Sequence, residues 1–339
     1  MRPAPAMTLP TLDQTLGSLL GLSLGDALGA VVEAQPPAEA RRYVDEVLQG
    51  GLAGTRGRGR HPFGQVTDDT QLARELLQSI VDKRGFDPAH FAERFAELVL
   101  GGWLIEGGPA SRTAARALAD GSPWHAAGMP APYAGNGAAM RAGPLGVLYG
   151  HDLQRLAQVT ADQARVTHHD PRCGAGALAI AGAAAIAARR EPIDPEAVLV
   201  ELSRLVEPLD ASVATTLWEM EGWVGLEPDQ AAGYLHEHGI EPEGRDRWHG
   251  ISSFVTSSVC WSLYAFLQEP DSWWDATCLA IGVGGDTDTL AAMTGSIVGA
   301  RVGAAQLPDP LVERLHDGTR WGAPDLRALG EAAHRVTLA

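Results

Sequence analysis

Cysteine is scarce in this chain of 339 residues, which contains only Cys173, Cys260 and Cys278. The three residues form no Cys-x-x-Cys pair, and their odd number leaves one of them unmatched. A disulfide framework is therefore disfavoured, and this cysteine usage fits a reducing compartment better. We expect a cytoplasmic protein.

Basic residues are also few, with 26 Lys and Arg against 42 Asp and Glu and a formal net charge of -16. Such a charge repels the phosphates of nucleic acids and anionic lipid surfaces, so we expect neither as a partner. The content of 45% hydrophobic and 20% charged residues is that of a packed soluble protein. It excludes disordered and fibrous classes.

We expect no hydrophobic run long enough to span a membrane. The most apolar stretch, residues 173–188, is bracketed by Arg172 and Arg189, and it is shorter than the about 20 residues that a membrane span needs. We predict a buried helix whose Gly and Ala residues let neighbouring helices approach closely. Residues 1–10 have one Arg and no apolar core of a signal peptide, which predicts a disordered tail before a domain over residues 11–339.

No convincing run alternates apolar and polar residues as a half-buried strand would. Helical spacing appears instead at Leu72, Leu76, Leu77 and Ile80, and again at Phe91, Phe95, Leu98 and Val99. Further helices are predicted near residues 12–24, 111–119, 137–149, 152–166, 174–189, 194–206, 252–267 and 287–303. Without a linker or a fixed-period repeat, the pattern predicts an all-α fold in a single compact multi-helix domain.

Two carboxylate clusters each begin a predicted helix: Thr67-Asp68-Asp69-Thr70, and Gly284-Gly285-Asp286-Thr287-Asp288-Thr289. Helix capping alone explains either cluster, since Asp and Thr are favoured N-caps. Capping needs only one such residue, however, and crowded carboxylates are unfavourable unless cations neutralise them. Oxygen ligands at this density suit Mg²⁺ or Mn²⁺ and not zinc. If the clusters meet in space, they form a two-cation site.

Three further motifs are compatible with either structure or chemistry. Asp26 in Gly25-Asp26-Ala27-Leu28-Gly29 is a cap, a buried hydrogen-bond partner or a site residue, and Glu33 is a loop residue or an acidic group of the site. The segment from Gly135 to Arg141 is an Asn-Gly turn or a loop whose backbone N–H groups receive phosphate. Thr167-His168-His169-Asp170-Pro171 is a capping turn with two surface histidines, or part of the site.

These five motifs occur in the order and approximate spacing of the ADP-ribosylglycohydrolase family, and the chain resembles that family over residues 12–305. The resemblance implies ligands to a pair of divalent cations, two Mg²⁺ or Mn²⁺, at Thr67, Asp68, Asp69, Asp286, Asp288 and Thr289. It also implies catalytic roles for Glu33, Asp69 and Asp286. ADP-ribose is expected at Gly135, Asn136, Gly137 and His168, and at a second phosphate-facing turn, Gly107 and Gly108, before the helix containing Thr113.

One segment differs in composition from the rest of the chain. Residues 50–61 are Gly-rich and basic in an otherwise acidic chain, too Gly-rich for a stable helix. Arg56, Arg58 and Arg60 either close over a pyrophosphate or belong to a solvated loop, so we assign them no site role.

The resemblance implies hydrolysis of the glycosidic bond of ADP-ribosylated proteins or small ADP-ribosyl compounds by a monomer, with release of ADP-ribose. Arginine is the expected acceptor, by analogy with the dinitrogenase-reductase-activating branch; serine, polymer and small-molecule linkages stay open, as does a non-catalytic ADP-ribose-binding module. An isoprenoid synthase is disfavoured because Leu72 stands where its third Asp is needed. A histidine-aspartate phosphohydrolase is disfavoured because Pro171 follows His169-Asp170.

Overall fold

The computed structural model describes residues 9–52, 61–238 and 249–338, without the side chains of residues 237 and 238. Of the predicted N-terminal tail, residues 1–8 lie outside the described residues, as do Arg56, Arg58 and Arg60 of the basic segment. The described part of the chain is all-helical, as the sequence predicts, and forms one domain. Its only extended pairings are isolated bridges, such as the one between Ile251 and Gly285.

The α-helices of the described residues are numbered here in chain order. They are α1 (Leu12–Gly29), α2 (Pro37–Tyr43), α3 (Asp68–Lys83), α4 (Pro88–Leu100), α5 (Pro109–Ala119), α6 (Gly143–Tyr149), α7 (Leu153–Arg165), α8 (Pro171–Ala188), α9 (Pro195–Val206), α10 (Ala211–Glu219), α11 (Pro228–His238), α12 (Val255–Gln268), α13 (Trp273–Gly282), α14 (Thr287–Val302), α15 (Asp309–Val312) and α16 (Ala323–Thr337). Short 3₁₀ turns and one π-helical segment, Val44–Leu48, connect some of them.

Most helix starts follow from local capping chemistry. The side chains of Asp87, Asp152, Asp170 and Asp210 accept hydrogen bonds from backbone N–H groups in the first turns of α4, α7, α8 and α10. Several helices also carry proline in the first turn, where its missing N–H has no partner to lose. These starts are fixed by neighbouring residues, and at α4, α7 and α8 the sequence predicts them to within about three residues.

The centre of the domain is the antiparallel pair α1 and α14. Gly17, Gly21, Gly25 and Gly29 lie at four-residue intervals on one face of α1, and a Cβ at any of them would come within 2.1 to 2.3 Å of a carbonyl oxygen of α14. Only glycine permits such backbone contact. Because Gly29 faces Thr287, the end of α1 lies beside the start of α14.

Two stretches, Leu12–Val32 and Pro171–Ala188, are long and apolar enough to cross a membrane, but 89% and 78% of their most apolar segments are buried inside the protein. Core helices share this length and composition. The prediction of a buried helix over residues 173–188 is confirmed, and so is the close approach of a neighbour. A Cβ on Gly146 of α6 would lie 1.9 Å from the Ala181 carbonyl oxygen of α8.

The predicted helices match observed ones except near residues 137–149, where the prediction is wrong. There a 3₁₀ turn, Asn136–Ala138, comes first and α6 begins only at Gly143. The carbonyl of Gly137 accepts a hydrogen bond from the Arg141 side chain at 2.8 Å, a partner from outside the helical backbone pattern. The predicted helices do not include α2, α10, α11, α13, α15 and α16.

Candidate functional site

Asp26, near the end of α1, caps the start of α3 from a distance of 41 residues in sequence. Its carboxylate accepts hydrogen bonds from the backbone N–H and hydroxyl of Thr67 and from those of Thr70, at 2.5 to 3.1 Å. Burial raises the pKa of Asp26 to about 6, although these hydrogen bonds act to lower it. Asp26 is therefore the buried hydrogen-bond partner that orients the Thr67–Thr70 turn.

The start of α14 is set by two consecutive glycines. Gly284 and Gly285 have φ values of 73° and 87°, and a Cβ on Gly285 would lie 2.0 Å from the Ile251 carbonyl oxygen. The backbone N–H of Asp286 donates to that same oxygen at 2.9 Å. The turn thus requires glycine, and it fixes the position from which Asp286 begins the helix.

The two acidic clusters meet. The Thr289 hydroxyl on α14 donates to Asp69 Oδ2 on α3 at 3.4 Å, and the Thr67 hydroxyl reaches the same oxygen at 3.5 Å. On the α14 side, one carboxylate oxygen each of Glu33, Asp286 and Asp288 lie within 4.8 Å of one another. Asp68 interacts electrostatically with Asp286 and Glu33. The residues expected at a cation site therefore belong to one acidic cluster, which also includes Glu33.

The aspartates of this cluster have strongly shifted pKa values. Burial, reinforced by the neighbouring carboxylates, raises the pKa of Asp68 to about 8 and the pKa values of Asp69 and Asp288 well above their ordinary range. Burial also raises the pKa of Asp286. In the described part of the chain, no lysine or arginine forms an ion pair with any of these four aspartates.

The donor set fits a hard divalent cation. It contains carboxylates and hydroxyls but no thiol or imidazole, which is the chemistry that Mg²⁺ and Mn²⁺ prefer. Asp69 Oδ1 is buried and has no hydrogen-bond partner, which is unusual for a buried polar atom. A cation bound there would satisfy this oxygen and neutralise the crowded charge.

The Gly135–Gly137 loop contacts the acidic cluster directly. The side-chain amide of Asn136 donates to Asp286 Oδ2 at 2.6 Å, and its backbone N–H donates to the Ser253 carbonyl at 3.0 Å. The loop and the cation ligands are therefore parts of one site. The Asn136 side chain links them.

His168 lies behind this loop and is buried, with 4% of its surface exposed, which contradicts the surface position that a capping turn implies. Asp170 does act as the capping residue expected of this turn, because it caps the start of α8, with His169 directly before it. Tyr133, a residue that the sequence analysis did not select, stacks on the His168 ring at 5.9 Å between centroids. Its only sequence signal is its position two residues before Gly135.

Gly107 and Gly108 precede α5, as the sequence predicts, and Gly108 is the N-cap residue without a side-chain cap. The preceding segment is anchored to α3, since Gln71 donates to the Trp103 carbonyl at 2.9 Å and accepts from the Ile105 N–H at 2.8 Å. A free helix start held this way is suited to an anion. No hydrogen bond in the described residues joins this turn to the acidic cluster.

The chain matches the ADP-ribosylglycohydrolase family model over residues 7–338. It belongs to the ADP-ribosylglycohydrolase family. ADP-ribosylglycohydrolases are hydrolytic enzymes, and this family member is one of them; its substrates are ADP-ribosylated compounds.

Relatives of known name cover nearly the whole chain. ADP-ribosylhydrolase ARH3 of Bos taurus is 29% identical, covering 96% of this chain and 93% of its own. ADP-ribosyl-[dinitrogen reductase] glycohydrolase of Rhodospirillum rubrum is 29% identical, with coverage of 91% and 92%. ADP-ribosylarginine hydrolase Tri1 of Pseudomonas putida is 27% identical, with coverage of 90% and 74%. A solved structure, an ADP-ribosylglycohydrolase-related protein complex, superposes with a TM-score of 0.70 at 29% identity, covering 96% and 98%.

Proposed function

We propose that this family member requires two divalent cations, Mg²⁺ or Mn²⁺, and removes ADP-ribose from arginine side chains of modified proteins. The meeting of the α3 and α14 acidic clusters is the observation that carries the proposal. The cation ligands would be Thr67, Asp68, Asp69, Asp286, Asp288 and Thr289. Cations bound there supply positive charge that grips ribose hydroxyls and polarises water.

The chain's own residues then divide the remaining work. The Gly135–Gly137 loop and His168 hold the ADP-ribose, with Gly107 and Gly108 facing its phosphates. Glu33, half-buried at the edge of the acidic cluster, is positioned to hold or move a proton near the reacting carbon. Water attacks the anomeric carbon of the distal ribose, the bond to the acceptor nitrogen breaks, and the departing guanidine takes a proton. Asp69 and Asp286 lie in the same acidic cluster as Glu33.

Support for arginine as the acceptor comes from the Tri1 relative, whose name states that linkage, and from the dinitrogen reductase relative of the branch considered above. Because the sequence identity to ARH3 is about as high, any test must also include substrates with the other linkages. We also propose a cytoplasmic location. Its support is the burial of all three cysteines as free thiols.

A release assay across arginine-linked, serine-linked, polymeric and small ADP-ribosyl substrates tests the proposal. We expect Mg²⁺-dependent release that is fastest from arginine, and none from the Asp288→Asn variant. Faster release from serine or polymer would overturn the linkage. Tight binding of ADP-ribose with no release from any substrate would identify a binding module instead.

A further inference from the structure

Arg141 is a fully buried cation that the proposed chemistry leaves unused. Its guanidinium donates to Gly137 O at 2.8 Å, to Gln163 Oε1 and O at 2.6 and 2.9 Å, and to the Thr167 hydroxyl at 2.9 Å. Burial lowers its pKa to about 9, and no carboxylate in the described residues pairs with it. Among the carboxylates of the described residues, only the charge of Asp68 acts on it, from a distance, and a buried charge with no directly paired carboxylate is unfavourable, so its position calls for an explanation.

The hydroxyl of Thr167 links Arg141 to His168 through hydrogen bonds. This oxygen accepts from Arg141, so its single proton is available for one acceptor. Nδ1 of His168 lies 2.9 Å away, whereas the Ala164 carbonyl is 3.4 Å away and already accepts the backbone N–H groups of Thr167 and His168. The hydroxyl therefore donates its hydrogen bond to Nδ1, the closer acceptor. Nδ1 then carries no hydrogen of its own, and the hydrogen of the neutral ring lies on Nε2.

The charge of Arg141 favours the same arrangement. In a neutral imidazole the bare nitrogen is the negative end of the dipole, and it is stabilised when it faces a cation. Burial, together with the charge of Arg141, lowers the pKa of His168 to about 3, so the ring is neutral throughout the physiological range. Both hydrogen bonding and electrostatics therefore assign the Nε2–H form.

Nε2 faces the loop expected to hold ADP-ribose. It lies 3.3 Å from the point where a Cβ on Gly135 would stand, and the neighbouring Cε1 lies 3.1 Å from that of Gly137. No residue in the described part of the chain accepts a hydrogen bond from Nε2. The two glycines thus leave space beside a hydrogen-bond donor whose direction is fixed.

We propose that Arg141 is a positioning residue which acts through Thr167 to hold neutral His168 as an Nε2–H donor to an acceptor oxygen of bound ADP-ribose. The identity of that ligand rests on the proposed function. The arrangement of Arg141, Thr167 and His168 does not, because it is built entirely from contacts within the protein. His168 itself touches the ligand, and Arg141 does not.

The tautomer is read directly by ¹⁵N NMR of histidine-labelled protein, with the His168→Asn variant identifying the signal. We expect the Nε2–H form in the wild type from pH 5 to 8. Thr167→Val keeps the shape but removes the hydroxyl, and should give a mixed or Nδ1–H form with ADP-ribose affinity about tenfold weaker. Thr167→Ser, which retains the hydroxyl, should restore most of the signal and the affinity.

Arg141→Lys provides a second test, since it keeps the charge but makes fewer hydrogen bonds, and should shift the tautomer signal partly. Thermal unfolding of each variant separates misfolding from a specific effect. A charged or Nδ1–H ring in the wild type, or an unchanged Nε2–H signal and affinity in Thr167→Val, would overturn the proposal. A wild type with the Nε2–H signal but no affinity for ADP-ribose would instead overturn the proposed function and the donor's ligand.

Discussion

Two buried groups of charges lie on successive turns of α3, and the protein treats them in opposite ways. In the first turn, Asp68 and Asp69 face the α14 aspartates with no basic side chain of the described chain paired to them. Further along, Arg74 pairs with Glu75 at 2.8 Å and with Asp317 at 2.9 Å, and Arg94 pairs with Glu75 at 2.8 Å. One helix therefore carries both an uncompensated and a compensated group.

The difference shows what each group is for. Arg74 also lies over the Trp321 ring at 4.8 Å, so its guanidinium is satisfied on its edges and on its face, and the group joins α3, α4 and the loop before α16. Such a network is structural. In the acidic cluster no basic side chain of the described residues neutralises the aspartates, which is why that cluster, and not the Arg74 network, is the candidate cation site.

The largest effect is expected from removing one acid of the uncompensated cluster. Asp288→Asn should lower the hydrolysis rate by about 10³-fold or more, because it removes a charged ligand of the cation site. The metal-free protein should unfold at the same or a higher temperature, since repulsion is relieved. Activity and calorimetry with Mg²⁺ and with chelator measure both quantities.

Asp82→Asn is the matched control, because it makes the same change at an aspartate of α3 that lies half exposed, in a surface pair with Arg94 and outside the acidic cluster. It should stay near wild type in both measurements. Full activity of Asp288→Asn, or of the wild type in excess chelator, would contradict the cation assignment.

Glu33→Gln comes next, with an expected fall of about 10²-fold in the single-turnover rate and little change in ADP-ribose affinity, if Glu33 handles a proton. If Glu33 is instead a cation ligand, the Glu33→Gln variant should recover much of its rate at high Mg²⁺. The measurement is therefore a rate and an affinity across a Mg²⁺ titration. An unchanged rate at every concentration would remove Glu33 from the chemistry.

Removing a charge from the compensated network should have the opposite effect on stability. Arg74→Met leaves Glu75 and Asp317 buried with fewer partners and should destabilise the protein by about 3–5 kcal/mol. Arg327→Met, which removes a guanidinium from exposed pairs with Asp309 and Glu313, should cost less than about 1 kcal/mol. Urea unfolding compares the two variants, and equal losses would show that the network is no more than a surface feature.

The smallest effect is a difference in pH dependence. Burial would raise the pKa of Asp317, but hydrogen bonds from Thr319, Trp321 and Arg74 outweigh it and lower the value. Its stabilising contribution is present above the unfolded pKa and is lost as the pH falls through the lower folded value, below about 4. Asp317→Asn should flatten this acid limb of a urea-unfolding profile.

The raised pKa of Asp68 acts in the other direction. Between an unfolded value of about 4 and the folded value of about 8, the folded state binds the extra proton, so metal-free stability falls as the pH rises through that range. Mg²⁺ should suppress this fall. The same unfolding series in chelator, if it showed stability rising from pH 5 to 8, would argue against the raised value.

Local chemistry explains how much of this could be predicted. Thr67 to Thr70 and Asp286 to Thr289 mark helix starts by their residue types alone, so the sequence predicts both acidic turns. The contact between Asp26 and Thr67, and the hydrogen bonds that link Arg141 through Thr167 to His168, form only when distant segments of the chain pack together. Nothing within a few residues of either distinguishes them from an ordinary cap or an ordinary turn.

Several of the missed helices have a related physical cause. In α13 the apolar residues are buried on most sides, among them Trp273, Ala276, Cys278 and Ile281, so no polar face reveals the helical period. Short helices such as α2 and α15 contain too few turns to show a period at all. Periodicity detects helices that are long enough and have one solvent-exposed side. α16 has both, with Leu326, Leu329 and Ala333 buried along one side of its 15 residues, so the sequence contains its pattern even though α16 is not among the predicted helices.

The backbone contact between α1 and α14 has a consequence for anyone who redesigns this enzyme. Residues 17, 21, 25 and 29 hold Asp26 and the α14 aspartates in register through main-chain atoms alone, with no side chain between them to trim or enlarge. Even alanine at these positions would push the helices apart. A library intended to change the acceptor should therefore leave these four glycines fixed and vary only the loops around the site.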